Sequence, residues 1–350
     1  MTGTPSSAAT SEAYVLGVDS GGSGLRVALG RVDVDEPLFT AVCAEPVRTG
    51  AGGIDAAHLL EQLLPAVARL LEQAGGEDSA AVGSLAIGAA GMATLGGRLR
   101  AELPGALAAA LGVRRMALAA DAVTAYAGAV GQRPGAVVAG GTGMIALGTD
   151  LTAWHRADGW GHLLGDSGGG AWIGRAGLEA AMRAHDGRRG GSAALLARLH
   201  AVFGPAEELP GLLYPRSDRP AVLASFAPEV AACAGADEVA AGILREAGIR
   251  IAEAAAAVCP AAGPEAGGGG GGGGEVALTG GLFRMGEPLT GPVREELARL
   301  APSARVTTGT GDPLTGALRI ARALARNDLR LPHHPTMLFV ETGGEPSGRA

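Results

Sequence analysis

Chemistry in this sequence gathers where apolar runs break into glycine or into a lone carboxylate. The run Tyr14–Val18 ends in Asp19 and is followed by Ser20-Gly21-Gly22-Ser23-Gly24, before a second apolar run, Val27–Leu29. This pattern predicts strand, tight turn, strand. Glycine leaves room for backbone N–H groups to approach an anion and makes positive φ free, so such a turn can cradle phosphate. The same layout returns about 120 residues later, with Ala136–Ala139, Gly140-Gly141-Thr142-Gly143 and Met144–Leu147. Both turns carry a hydroxyl, Ser23 and Thr142. A third junction follows, where Glu275–Leu278 runs into Thr279-Gly280-Gly281-Leu282. One such turn alone reads equally as an ordinary hairpin in a chain with 60 glycines among 350 residues. Three in order suggest two cradles gripping phosphates from opposite sides and a third that admits an adenine.

Asp121 is the second carboxylate of interest. The strand Met116–Ala120 delivers it to a C-terminal strand end, just before a helix beginning near Val123. Folds built of strands and helices place ligand chemistry there, and the same residue could also cap the helix. A further segment, Gly159-Trp160-Gly161-His162-Leu163-Leu164-Gly165-Asp166, sets Trp160 between glycines, a poor position for a core residue and a better one for a pocket wall.

The elements between these turns must position these groups. Ala56–Gln73 has leucines at 59, 60, 63, 64, 70 and 71, a helical spacing closed by Gly75-Gly76. Ser84–Ile87 predicts a buried strand, Ala101–Leu111 a helix, Pro292–Leu300 a helix, and Pro313–Ala325 a last helix returning to the first half. Residues 171–258 are rich in Ala and Leu, with breaks at Pro205, Pro210, Pro215, Pro220 and Pro228, and predict a helical insertion in the second half. Eight consecutive glycines, Gly267–Gly274, maximise backbone entropy, so 263–274 is expected to be a disordered loop. Strands alternating with helices, and two related hairpins, predict an α/β fold of two duplicated halves. The expected domains are 14–118 with 313–330, and 119–312, with a disordered tail at 1–13 and a tail at 331–350.

Composition narrows the chemistry. With 28 basic and 35 acidic residues the net charge is −7, which disfavours nucleic acid as the main partner. Every basic residue is arginine. A Walker A loop, a protein-kinase strand lysine and a pyridoxal Schiff base therefore cannot be written in this alphabet. Cys43, Cys233 and Cys259 are too scattered for a zinc site or a disulfide framework, which fits a reducing, cytoplasmic setting. No run of about 18 apolar residues occurs, so no membrane partner is expected.

Taken in order, the motifs resemble the actin-like ATPase and sugar kinase superfamily, specifically the eukaryotic-type N-acetylglucosamine kinases within the BadF-type ATPases. Residues 159–166, with Gly168 and Trp172-Ile173, are similar to that family's GWGHxxGDEGSxxWI segment; YVLGVDSGGSG resembles GVDGGGT, the AADA ending at Ala122 resembles TDA, and AGGTGMIALG resembles SGTGS. The likeness runs from Tyr14 to about Arg322. It implies two ribonuclease-H-like halves with a central cleft closing over Mg·ATP and an amino sugar, in a homodimer. Asp121 would then contact the sugar and take the proton of its 6-hydroxyl, and Asp19 would hold Mg²⁺ through water. ATP contacts fall on Ser20, Gly21, Gly22, Ser23, Gly141, Thr142, Gly280, Gly281 and Met285. Sugar contacts fall on Gly52, Gly143, Gly159, Trp160, Gly161 and Asp166, a carboxylate that can accept two hydrogen bonds from ring hydroxyls. Three departures stand out. RTGAGGID at 48–55 lacks the asparagine of the family's acyl-sugar loop; Ser167 replaces a glutamate; and Gly24-Leu25 replaces a basic residue for which Arg26 would reach back. Two other roles on this scaffold fit less well. An iron–sulfur ATPase activator needs clustered cysteines, and a non-catalytic sugar sensor would not need both Asp19 and Asp121. His162 resembles a zinc ligand of related kinases, but no cysteine cluster follows it.

Overall fold

The computed structural model describes residues 14–22, 24–50, 53–75, 82–261 and 274–342. Ser23, Gly52, the 1–13 tail, the end of the 331–350 tail and the glycine loop up to Gly273 lie outside them. Contacts divide the chain into two compact units, one running to Gly131 and resuming at Pro313, the other Gln132–Asp312.

Along the chain, unit 1 opens with β1 (Tyr14–Gly21), β2 (Gly24–Gly30), β3 (Phe39–Cys43), the short β4 (Thr49–Gly50) and β5 (Gly53–Ile54), then α1 (Ala56–Gln73). It continues with β6 (Val82–Ala89), α2 (Met92–Leu95), α3 (Gly97–Leu111), β7 (Arg115–Ala120) and α4 (Asp121–Ala129). Unit 2 has β8 (Gly135–Gly140), β9 (Met144–Thr149), β10 (Trp154–Asp158), α5 (Gly170–His185), α6 (Ala193–Phe203), α7 (Leu209–Leu213), α8 (Arg219–Ser225), α9 (Ala227–Cys233) and α10 (Glu238–Val258). It closes with β11 (Glu275–Thr279), α11 (Glu287–Leu300) and β12 (Arg305–Thr308), after which α12 (Pro313–Arg326) and β13 (Leu338–Thr342) return to unit 1.

Both units are built on one plan. In unit 1 the strand order is β13-β7-β6-β1-β2-β3, with β1, β2 and β3 an antiparallel meander and β6 and β7 parallel to β1. Unit 2 repeats the five-strand core as β10-β9-β8-β11-β12, again a three-strand meander followed by two parallel strands. Central strands covered on both faces need no polar alternation, which is why β1 and β6 read as nearly continuous apolar or small residues. In unit 1, α12 packs on β1, β2, β6 and β7, and α1 on β2 and β3; in unit 2, α10 packs on β8, β9 and β10, and α11 on α10.

Two boundaries differ from the sequence expectation. The first domain extends to 131, not 118, because β7 is hydrogen-bonded to β6 and α4 packs on α12. The 331–350 tail contains β13, which pairs antiparallel with β7 from Leu338↔Ala119 to Thr342↔Arg115. Between 170 and 258 the chain is helical, and Pro210, Pro220 and Pro228 sit in the first turns of α7, α8 and α9, where a missing N–H costs nothing. Ser192 caps α6 and donates to Asp237, which caps α10, so the two helix starts are tied together. No helix among the described residues is long and apolar enough to cross a membrane.

Arg322 of α12 is buried and donates Nε to Arg31 O (2.9 Å), Nη1 to Asp35 O (2.6 Å) and Nη2 to Glu36 O (3.0 Å). The loop after β2 is thus clamped to the helix that covers the sheet. Arg322→Met keeps much of the stem but leaves three carbonyls without their charged donor. It should destabilise the protein by about 2–4 kcal/mol in urea unfolding, and a loss below about 1 kcal/mol would show the clamp to be dispensable.

Candidate functional site

In unit 1 the acidic candidates lie at the carboxyl ends of parallel strands. Asp19 pairs in register with Gly88 of β6, and Ala120, just before Asp121, ends β7 opposite Ala89. β1 and β7 are two interstrand spacings, about 10 Å, apart, and both residues stand at the same sheet edge. That edge is where open α/β sheets bind ligands. Asp121 is not the helix cap: the N-cap is Ala120, and Asp121 is the exposed first residue of α4, its Oδ1 accepting the Ala122 N–H at 2.9 Å. Main-chain support comes from Thr124 Oγ1, which donates to Asp121 O, and from Met337, just before β13, whose O accepts the Ala120 N–H.

Asp19 is half-buried at the end of β1, beside buried Ser20 and the exposed turn at Gly22. Arg26, its register partner on β2, donates to Asp19 Oδ2 from Nε (3.0 Å) and Nη2 (2.6 Å). Instead of reaching back toward a phosphate, Arg26 is committed to the carboxylate beside the turn. Gly21 and Gly22 have open space where a side chain would begin.

In unit 2, the β8–β9 turn, the loop after β10 and the start of α5 form one cluster. Within the turn the Gly141 N–H bonds Gly143 O, while Gly141 O and Thr142 O accept the amides of Gly170 and Ala171 in the first turn of α5. The Gly141 amide is therefore spent inside the turn, and its value to a ligand is space, since nothing lies within 4 Å of the position of an added side chain. Gly280 and Gly281 follow β11 at the same edge. A side chain on Gly280 would meet Gly140 O at 2.1 Å, and Leu282 and Phe283 lie against Gly140. Met285 is half-buried at the end of the short 3₁₀ turn Gly281–Met285.

The loop 158–169 brings Gly143 and Asp166 together, for a Cβ on Gly143 would sit 2.2 Å from Asp166 Oδ2. Asp166 has φ 56° and accepts the Gly161 N–H on Oδ1 at 3.0 Å. Burial, the largest influence, pushes its carboxyl up; the Gly161 amide pulls it down, Asp158 pushes it up again, and His162 and Arg156 pull it down. Gly159, Trp160 and Gly161 lie on this loop, Trp160 being 62% exposed with the Arg156 guanidinium stacked 4.1 Å from its ring centre. Trp172, by contrast, packs into the helical core of unit 2. Sequence reasoning missed Arg156 and Asp158. Arg156 donates to Asp158 O and Gly159 O, and the Asp158 carboxylate accepts the amides of Asp166 and Ser167. The Asp-Gly pair closing an alternating strand was the available signal.

The model of one family matches residues 16–309. The chain belongs to the BadF/BadG/BcrA/BcrD ATPase family. Its two units are ribonuclease-H-like, in keeping with solved relatives. A candidate N-acetylglucosamine kinase from Chromobacterium violaceum matches with TM-score 0.67 and 29% identity, over 87% of this chain and 98% of that one. A candidate N-acetylglucosamine kinase from Porphyromonas gingivalis gives 0.61 and 16%, over 89% and 99%. A ROK family glucokinase from Streptomyces griseus, solved with glucose and AMPPNP, gives 0.51 and 18%, over 89% and 99%. The last two are likenesses of fold. An N-acetylmuramic acid/N-acetylglucosamine kinase of Clostridium acetobutylicum is 41% identical over 69 residues, which is 19% of this chain and 22% of that protein.

The raised carboxyl of Asp166 has a consequence for stability. A carboxyl whose pKa rises on folding favours the fold most while protonated, below about pH 4, and that contribution is lost as pH climbs through the folded value. Asp166→Asn removes the buried charge, keeps an acceptor for Gly161 and suits positive φ. It should raise Tm by about 1–3 °C at pH 7, with the gain shrinking toward pH 3; an equal or lower Tm at pH 7 would contradict the geometry.

Proposed function

We propose that this protein is an ATP-dependent sugar kinase that phosphorylates an amino sugar, N-acetylglucosamine or glucosamine, at its 6-hydroxyl. The observation that carries the reading is Asp121: an exposed carboxylate on the first residue of α4, at the carboxyl edge of β7 and on the same edge as Asp19. Family membership supports ATP as the phosphoryl donor, and the named relatives support a sugar acceptor.

In this reading Asp121 holds the sugar and accepts the proton of its 6-hydroxyl as the oxygen attacks the γ-phosphorus in line and ADP leaves. The resemblance assigns the phosphates to Ser20, Gly21, Gly22 and Ser23, and the nucleotide also to Gly141, Thr142, Gly280, Gly281 and Met285. The open space at Gly21, Gly22, Gly141 and Gly281 fits close approach by a polyanion. Magnesium, held through water by Asp19, would supply the countercharge that a lysine-free chain lacks. Arg26 on Oδ2 leaves that carboxylate in place rather than swinging free. The sugar falls to Gly52, Gly143, Gly159, Trp160, Gly161 and Asp166. A cytoplasmic homodimer goes with this reading, supported by the family resemblance and by cysteines too scattered for disulfides.

Coupled ADP release with ATP and Mg²⁺ over N-acetylglucosamine, glucosamine, N-acetylmuramic acid and glucose tests the activity and selects the sugar. Asp121→Asn keeps the Oδ1 acceptor for Ala122 and the helix start, so the fold should survive. Its kcat should drop by about 10²–10⁴-fold while the KM for ATP stays level. More than a third of wild-type kcat in a folded variant would remove Asp121 as the base. Thr142→Ala should raise the KM for ATP more than that for the sugar, and the reverse order would take Thr142 away from the nucleotide.

A further inference from the structure

The loop that carries Asp166 is held by Asp158, a residue outside the glycine turns and the 159–166 motif. Asp158 ends β10 in the left-handed region, φ 59°, and its carboxylate turns inward to the far end of the loop. Oδ1 accepts the Asp166 N–H at 2.5 Å and Oδ2 accepts the Ser167 N–H at 2.9 Å. One anion thus takes two consecutive amides eight and nine residues downstream, the arrangement in which charge-assisted bonds fix backbone geometry best. The fit leaves no slack: a Cβ on Gly165 would lie 2.2 Å from Asp158 Oδ1. Arg156 holds the near end, donating Nε to Asp158 O (2.9 Å) and Nη2 to Gly159 O (2.6 Å).

We propose that Asp158 is a positioning residue for the sugar, closing the loop 158–167 on itself so that Asp166 is presented in one orientation beside Gly143. The inference rests on the reading of Asp166 as a sugar ligand. The charged and titratable groups facing Asp166 are Asp158 and Arg156 from β10 and His162 from the loop itself; the β8–β9 turn contributes none. Of these, Asp158 is the like charge that pushes the Asp166 carboxyl up.

Asp158→Asn replaces one acceptor by an NH₂ group facing an amide and removes the charge. The KM for the sugar, and its Kd by tryptophan fluorescence, should rise about tenfold or more while the KM for ATP stays within about twofold. Loss of the like charge should also move the acid limb of kcat/KM for the sugar to lower pH. Asp166→Asn runs in parallel. If it raises the sugar KM and Asp158→Asn neither raises it nor moves the acid limb, the positioning role is overturned. If Asp166→Asn itself leaves the sugar KM unchanged, the sugar-ligand reading fails, and Asp158 with it. Should Asp158→Asn fail to fold, Asp158→Glu keeps charge and acceptors but displaces them by a methylene. It should raise the sugar KM several-fold with the acid limb in place, and equal effects on both KM values would overturn the proposal.

Discussion

Contact of backbone with backbone is the constraint on which this molecule is built. A Cβ on Gly17 would lie 2.6 Å from Leu318 N, and one on Gly316 would lie 1.8 Å from Thr124 O, so α12 rests directly on β1 and on α4. In unit 2 the same device seats α5, since a side chain on Gly170 would strike Gly141 O at 2.7 Å and one on Gly169 would strike the Gly143 carbonyl carbon at the same distance. A chain with 60 glycines and 3% aromatics is therefore a chain of closely approaching layers, with small residues where larger ones would hold the layers apart. The glycine turns share this scarcity of side chains. At Gly143 the neighbour is a side chain: the nearest atoms that a Cβ there would meet are those of the Asp166 carboxylate.

The second constraint is charge without lysine. Arginine is a planar fork and does best where two acceptors lie side by side or where it can lie on a ring. Arg26 spends two donors on one oxygen of Asp19; Arg156 spans two carbonyls and stacks on Trp160; Arg322 reaches three carbonyls. Each guanidinium organises a loop or a carboxylate beside a glycine turn or beneath the sheet. Backbone amides also hold carboxylates, as at Asp158 and at Asp121.

How much of this could be read from the sequence depends on how local the cause is. Glycine turns after apolar runs are local, so β1–β2, β8–β9 and the junction after β11 stand where the pattern puts them, and so do α1 and the strand leading to Asp121. The extent of the first unit is not local: α4 belongs to it because α12, some 190 residues later, packs on it, with Arg319 donating to Ala127 O and Gly128 O at its C-terminal end. β13 hides behind His333-His334-Pro335, where the composition reads as a tail, and only its pairing with β7 makes five residues a strand. Asp158 is the clearest case. An aspartate before a glycine announces a turn, but nothing in the sequence tells that its carboxylate will accept amides eight and nine residues ahead.

Duplication explains the two turns, and departure from duplication explains the two different sites. Aligning the ends of the leading strands, Gly21 with Gly140, sets Asp19 opposite Val138, and β8 contains no charged residue at all. Unit 2 consequently has no carboxylate to offer from its leading strand, and its turn carbonyls are tied to α5 instead. Asp166 comes instead from the connection between β10 and α5, whose counterpart in unit 1, between β3 and α1, contains the short strands β4 and β5. A carboxylate on a strand is held by the sheet, as Asp19 is by its register with Arg26 and Gly88. A carboxylate on a connection has no sheet to hold it, and must be fixed by bonds that the connection makes to itself. Asp158, Arg156 and the Gly161 amide make those bonds, so the unit whose leading strand lacks a carboxylate is also the unit whose loop is internally stapled.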